Sequence, residues 1–179
     1  MWPPFGDPTP AVPLPAPSGP PRIVSVNVSR GGVPKRPVSQ AWVGPQGLEG
    51  DVQRDRRHHG GPDRAVCLLA LEVIEALRAE GHPIEPGSAG ENLTVAGVDW
   101  RELVPGTVIE VGGAQLEIAS YTVPCKTIKG SFAAGEFTRL SNQLHPGWSR
   151  LYARVIRQGV VHSGDHITLG TGNTDSGAN

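Results

Sequence analysis

Glycine and proline punctuate this chain too often for long regular elements, with 24 glycines and 18 prolines among 179 residues. Proline removes a backbone donor, and glycine weakens the interior of a helix or strand. Only short elements joined by many turns can therefore form. The two residue types are spread differently. Nine of the 18 prolines lie in residues 1–21. That stretch is expected to be a disordered or extended Pro-rich tail, since proline favours polyproline II. Its Pro10–Pro13 and Pro17–Pro20 pairs have the PxxP spacing of ligands for Pro-binding modules, a match that arises readily in any Pro-rich tract. Residues 22–170 form the expected globular body, and the small polar residues 171–179 a flexible end.

Within the body the apolar residues group in short β-branched or alternating runs. Ile23 to Val28, Val38 to Val43 and Ala65 to Leu69 read as strands. So do Leu93–Val95, Thr107–Val111, Ala114–Ala119, Leu151–Ile156 and His166–Leu169. Gly112-Gly113 is a tight hairpin signal. One helix is clear, Leu71 to Ala79, with Val73, Ile74 and Leu77 on one face and Gly81 and Pro83 after its end. A second short helix is expected over Glu136 to Leu144. Many short strands with one or two flanking helices predict a mainly β (α+β) fold closed into a β-barrel.

Several functional classes drop out. The net charge is −1 and the pI about 6.6, so no global basic field would hold nucleic acid or an anionic membrane. The longest purely apolar run, Ala65 to Leu71, is far below the roughly 18 residues of a membrane span. The N-terminus lacks the basic start and apolar stretch of a signal peptide. Two cysteines cannot build a disulfide scaffold, and a cytoplasmic protein with reduced thiols is expected. The 13 arginines against 3 lysines read as genome composition bias.

Four loop segments carry chemistry. They are Gly47-Leu48-Glu49-Gly50-Asp51, His58-His59-Gly60-Gly61-Pro62-Asp63-Arg64, Gly87-Ser88-Ala89-Gly90-Glu91-Asn92 and Val123-Pro124-Cys125-Lys126. Residues 54–64 hold four Arg and two Asp, a local charge of +2 beside two glycines. Such a loop suits an anion pocket for a phosphate, or equally a solvated charged turn. Zinc is poorly served, because the histidines are adjacent and no spaced Cys pair exists. Glu91 and Asn92 can read the edge of a ligand or tie down their own loop. Cys67 lies in an apolar run and reads as a buried, inert small hydrophobe. Cys125 lies in a loop beside Lys126, a cation that favours the reactive thiolate.

Taken in order, these segments, with Gly32-Val33-Pro34-Lys35 before them and Tyr152-Ala153-Arg154-Val155 and Ser163-Gly164-Asp165 after, resemble the MOSC domain family. That is the domain at the C-terminus of molybdenum cofactor sulfurases, also found as stand-alone bacterial proteins. The resemblance covers roughly residues 22–169 and leaves the tail outside. It implies a closed barrel of MOSC type and a molybdenum–pterin cofactor, molybdopterin. It gives Cys125 the role of molybdenum ligand or persulfide carrier. It places Lys35, Asp51, Arg57, His59, Gly60, Gly61, Arg64, Glu91, Asn92 and Lys126 among the cofactor-binding residues. Molybdenum takes soft thiolate ligands, and the cofactor phosphate suits Arg and backbone N–H groups. One departure stands out: many members have an arginine shortly before the Pro-Cys pair, where this chain has Tyr121-Thr122-Val123.

Three activities are compatible with the resemblance. The first is an oxidoreductase acting on N-hydroxylated or related small molecules, with electrons from an external donor. The second is a sulfur-carrier module fed by a cysteine desulfurase. The third is a non-catalytic pterin or anion binding module. Pyridoxal phosphate, sometimes attributed to this family, is not expected: a Schiff base needs a lysine, and only Lys35, Lys126 and Lys129 exist.

Overall fold

The computed structural model describes residues 12–52 and 60–170. Eleven strands are present: β1 (Arg22–Val28), β2 (Arg36–Val38), β3 (Gln40–Gly44), β4 (Gly47–Leu48), β5 (Val66–Ala70), β6 (Leu93–Ala96), β7 (Val108–Val111), β8 (Ala114–Tyr121), β9 (Leu151–Arg157), β10 (Gly159–His162) and β11 (Ile167–Leu169). Among the described residues the one α-helix is α1 (Leu71–Ala79).

The strands form an eight-stranded sheet in the order β11-β7-β8-β9-β5-β6-β1-β2 and a three-stranded sheet in the order β10-β3-β4. Only β5 and β6 pair in parallel, through the crossover helix α1. Burial follows from this. All residues of β5 and β6 are buried, whereas β7 and β8 alternate along most of their length as antiparallel strands with one wet face do. Val73, Ile74 and Leu77 of α1 are buried, as its periodicity predicts. Gly112, at φ +54°, turns β7 into β8 at the expected hairpin.

The mainly β character holds, but the expected closed barrel does not. The sheet is open, with β11 and β2 as its edges. The reason lies in β1, whose free side is divided. Its second half pairs with β2 through Val26 to Val28. Its start meets only the turn before β11, at the isolated bridge Arg22↔His166 and the Ile23 N–H to Asp165 O bond of 2.8 Å. No ladder closes the ring. The smaller sheet covers the core instead, with β10 against β1 and β8 and β3 against β9.

The expected helix over Glu136 to Leu144 shrinks to a 3₁₀ turn, Phe137–Leu140. Its surroundings prefer turns. Gly135 has φ +71°, the Ser141 hydroxyl accepts from the Leu144 N–H, and Asn142 accepts from the Gly147 N–H. Strands β2 and β10 went unread, being short and broken by Pro37 and Gly159.

The Pro-rich segment is described from Val12, and there it is tied to the body. The Trp148 indole donates to Val12 O, and Leu14 packs on the core. Glu72 of α1 accepts from the Ser18 N–H and hydroxyl and from the Gly97 N–H, each at 2.8 Å. No helix among the described residues is long and apolar enough to cross a membrane.

Candidate functional site

Two cavities of nearly equal size open on this fold, of about 460 and 470 Å³. Volume does not separate them, but chemistry does. The smaller lies at the start of β1 and of β11 and has a mainly apolar wall with no thiol. The larger is lined by both cysteines and by Lys35, Arg64 and Arg150.

One wall comes from the β1–β2 loop. Lys35 is held there because its N–H donates to Gly87 O at 2.9 Å. The approach is close enough that a methyl group on Gly87, which has φ +83°, would stand 2.4 Å from Lys35 O. The Lys35 ammonium donates to Asp51 Oδ2 at 2.5 Å. Asp51 stands behind it with its side chain 3% exposed, and also accepts from the Ser29 N–H at 2.8 Å and the Asn92 amide at 2.9 Å. Asn92 lines the cavity and fastens β5 to it. Its amide oxygen accepts from the Cys67 N–H at 3.0 Å, and its own N–H donates to Cys67 O at 2.8 Å.

The floor is made by facing residues of β5 and β9. Cys67 pairs directly with Tyr152, which puts both side chains on one face. Burial pushes the Cys67 thiol pKa up and raises that of the Tyr152 phenol to about 12. The Arg64 guanidinium sits 5.7 Å above the Tyr152 ring. Its 3₁₀ turn, Pro62–Arg64, is tied to β9 by an Asp63–Arg154 ion pair of 3.2 Å. Arg150, immediately before β9, is 6% exposed. One Nη donates to Ala89 O at 2.7 Å, while its Nε is buried without a partner.

Cys125 stands at the entrance, half-buried, at the start of the 3₁₀ turn Lys126–Ser131. Its Sγ lies 2.8 Å from Thr127 Oγ1. The turn is anchored beside the Gly87–Gly90 loop, since the Ser131 hydroxyl donates to Ser88 O at 2.9 Å.

Of the residues singled out from sequence, Lys35, Arg64, Asn92 and Cys125 line this cavity. Asp51 supports it from behind. Gly60 is half-buried, Gly61 and Lys126 are exposed, and none of the three lines it. Arg57 and His59 lie outside the described residues. Glu91 is fully buried and is not among the lining residues. It accepts from the Gly87 N–H at 2.6 Å and the Thr94 hydroxyl at 2.9 Å, so it ties its loop. Cys67, Arg150 and Tyr152 are wall residues that the loop motifs did not single out. Tyr152 opens the Tyr152-Ala153-Arg154-Val155 segment of the resemblance, and Arg150, two residues before it, lines the same cavity without a sequence signal of its own.

Burial raises the Glu91 pKa above its ordinary value of 4.5. The folded state thus holds the proton more tightly than the unfolded chain. The stabilisation is full below the ordinary value and is lost as pH rises through the folded value. Stability should therefore fall as pH climbs from about 4.5, and Glu91→Gln should flatten that slope while keeping the loop. Urea midpoints measured across this range test it. An equal slope in the variant would refute the assignment.

Among the described residues no group of three or more His, Cys, Asp or Glu forms a metal cage. A metal at Cys125 would have to arrive with most of its ligands, and the cationic wall suits an anionic carrier for it. A family model described as MOSC domain matches residues 55–168. The protein YflK of Bacillus subtilis is 31% identical over 140 residues, covering 77% of this chain and 62% of its own length. YiiM of Escherichia coli is 30% identical over 128 residues, covering 69% and 56%. The chain thus spans less than two thirds of the length of either curated relative. Among solved structures, YiiM from Geobacillus stearothermophilus superposes with a TM-score of 0.68 at 26% identity, over 85% of this chain and 76% of its own. The Escherichia coli YiiM structure gives 0.63 at 23%, over 84% and 70%, a likeness of fold.

Proposed function

The chain belongs to the MOSC domain family, and on that premise we propose that the Cys125 cavity binds a molybdenum–pterin cofactor and serves an oxidoreductase acting on N-hydroxylated or related small molecules. One observation carries the reading. A half-buried thiol and three cationic side chains line one cavity, and a guanidinium nitrogen of one of them is buried without a partner. The donor set fits the group: a soft thiolate for molybdenum and guanidinium and ammonium groups for a phosphate.

When bound, such a cofactor supplies a centre that exchanges electrons and oxygen with the substrate. The chain's residues bind and orient it. Cys125 is the protein's ligand to the metal. Lys35 is held in place by Asp51, and Arg150 by Ala89 O, so both present fixed charge toward the cavity. Arg150 also supplies the cation that the Tyr121-Thr122-Val123 stretch lacks, because the Thr122 N–H donates to Arg150 O at 2.9 Å and keeps the two side by side. Tyr152 stays a neutral phenol at the floor. Electrons are supplied by an external donor.

The deciding experiment is molybdenum and pterin analysis of the protein purified from a molybdenum-replete host. Near-stoichiometric content of both is expected, and their joint absence would overturn the proposal. Arg150→Leu should weaken cofactor retention roughly 10- to 100-fold, the worth of one charge-assisted hydrogen bond. Equilibrium dialysis against molybdate-free buffer measures it, and unchanged retention would remove Arg150 from the site. The half-exposed Cys125 sulfur also suits a persulfide carrier. A one-sulfur mass gain at Cys125 after exposure to a cysteine desulfurase and cysteine, without molybdenum in the purified protein, would favour that reading.

A further inference from the structure

The chain has two cysteines, and both line the same cavity. Their settings differ. Cys125 is half-buried at the entrance, on a loop, whereas Cys67 is 5% exposed on the central strand β5. Cys67 is fixed, because Asn92 bonds both its backbone N–H and its carbonyl. Cys125 is not fixed in the same way. Its side chain has the Thr127 hydroxyl beside it, and its carbonyl accepts from the Ile128 N–H at 3.2 Å.

The two side chains line one cavity. The Thr122 N–H donates to Arg150 O, two residues before the Tyr152 that pairs with Cys67. From Thr122 to Cys125 is three residues, which span at most about 10 Å of extended chain. The intervening Val123 is 81% exposed, so the segment has little packing to lose on moving. A disulfide needs Cα atoms roughly 4.4–6.8 Å apart, so it forms by inward movement of this loop against a stationary β5.

We propose that Cys67 and Cys125 form a redox pair, joined as an intramolecular disulfide when the protein meets a hydroperoxide. The Cys125 sulfur attacks the peroxide O–O bond, which breaks. Cys125 becomes a sulfenic acid, and hydrogen peroxide leaves as water. The Cys67 thiol then attacks the sulfenic sulfur, an S–S bond forms, the S–O bond breaks, and a second water leaves. Two thiols lose two electrons in all, and one peroxide gains them. An accessible thiol with a second thiol poised nearby is the arrangement of reversible redox sites. The disulfide protects Cys125 from irreversible over-oxidation. If the cavity holds a molybdenum cofactor, a consequence that rests on the function proposed above, the disulfide also withdraws the metal's protein ligand until it is reduced.

The test uses the full chain, free of cofactor and treated with equimolar hydrogen peroxide. Intact mass and peptide mapping after alkylation should show the loss of both free thiols, a Cys67–Cys125 linked peptide, and full recovery with dithiothreitol. In Cys67→Ala the same treatment should stop at the Cys125 sulfenic acid, and a second equivalent of peroxide should carry it on to sulfinic acid. Should that variant fail to fold, Cys67→Ser and the wild-type map decide instead. Cys125 sulfinic acid beside a free Cys67 in the wild type would overturn the proposal, as would a disulfide between chains. No molybdenum enters the measurement. Linked thiols in a protein that never takes the metal would leave the pair standing and refute the cofactor. Molybdenum bound to a protein that forms no disulfide would do the reverse.

Discussion

Cys125→Ala should strip molybdenum from the purified protein by at least roughly 100-fold while leaving its thermal unfolding almost unchanged. The two halves of this expectation have separate causes. The described residues hold no cage of His, Cys, Asp or Glu, and on the proposed function the Cys125 thiolate would be the chain's bond to the metal. Loss of a partner one shell further out already costs 10- to 100-fold in typical metal sites, and loss of a direct ligand costs more. Stability is another matter. Cys125 is half-exposed at the start of a turn, with Thr127 Oγ1 beside its sulfur. Truncating such a side chain shifts stability by less than about 1 kcal/mol. Elemental analysis after gel filtration, run beside a melting curve, reads both. Full molybdenum content in the alanine variant would move the metal elsewhere, and a collapsed melting curve would make Cys125 structural.

The sequence exposed one part of this site and hid another, for physical reasons. Lys35, Arg64, Asn92 and Cys125 lie in glycine- or proline-marked loops, where a polar residue that does not face a helix or strand core draws attention. Loops of this kind brought all four to one cavity. Cys67 and Arg150 carried no such mark. Cys67 was rightly read as buried, at 5% exposure. Whether a buried strand residue abuts solid core or a cavity depends on what lies across the sheet, and that is Tyr152 of β9, 85 positions later. Arg150 is an arginine before a strand, and nothing local says that Ala89 O draws its head inward. Glu91 was open to two readings, and the structure turns it toward Gly87 and Thr94. At the level of the fold, local pattern marked strand existence and the helix α1 well. Closure of the sheet could not be read. It depends on how the free side of β1 is divided between β2 and the turn before β11, a matter of long-range register.

The second large effect is expected at Asp51, which stands behind the cavity lining. Its carboxylate collects the Lys35 ammonium, the Ser29 N–H and the Asn92 amide, and its side chain is 3% exposed beside a lysine at 11%. Asp51→Ala leaves a charge, a backbone donor and an amide without their acceptor in a space that water barely enters. Breaking such a pair from one side costs about 3–5 kcal/mol, most of it the penalty of the stranded charge. At 2–4 °C per kcal/mol for a chain of this size, that lowers the melting temperature by roughly 6–20 °C. Asp51→Asn should not rescue it, because its amide nitrogen would meet donors where the carboxylate met them with lone pairs. The stranded-charge account has a signature that simple loss of packing lacks. Removing the lysine as well, in Asp51→Ala with Lys35→Met, should restore a substantial part of the lost stability, since no charge then remains to be desolvated. Urea unfolding of the wild type, both single variants and the double variant completes the cycle. A double variant as unstable as the sum of the singles would show that Asp51 acts through Ser29 and Asn92 alone, and that Lys35 reaches the cavity without its help.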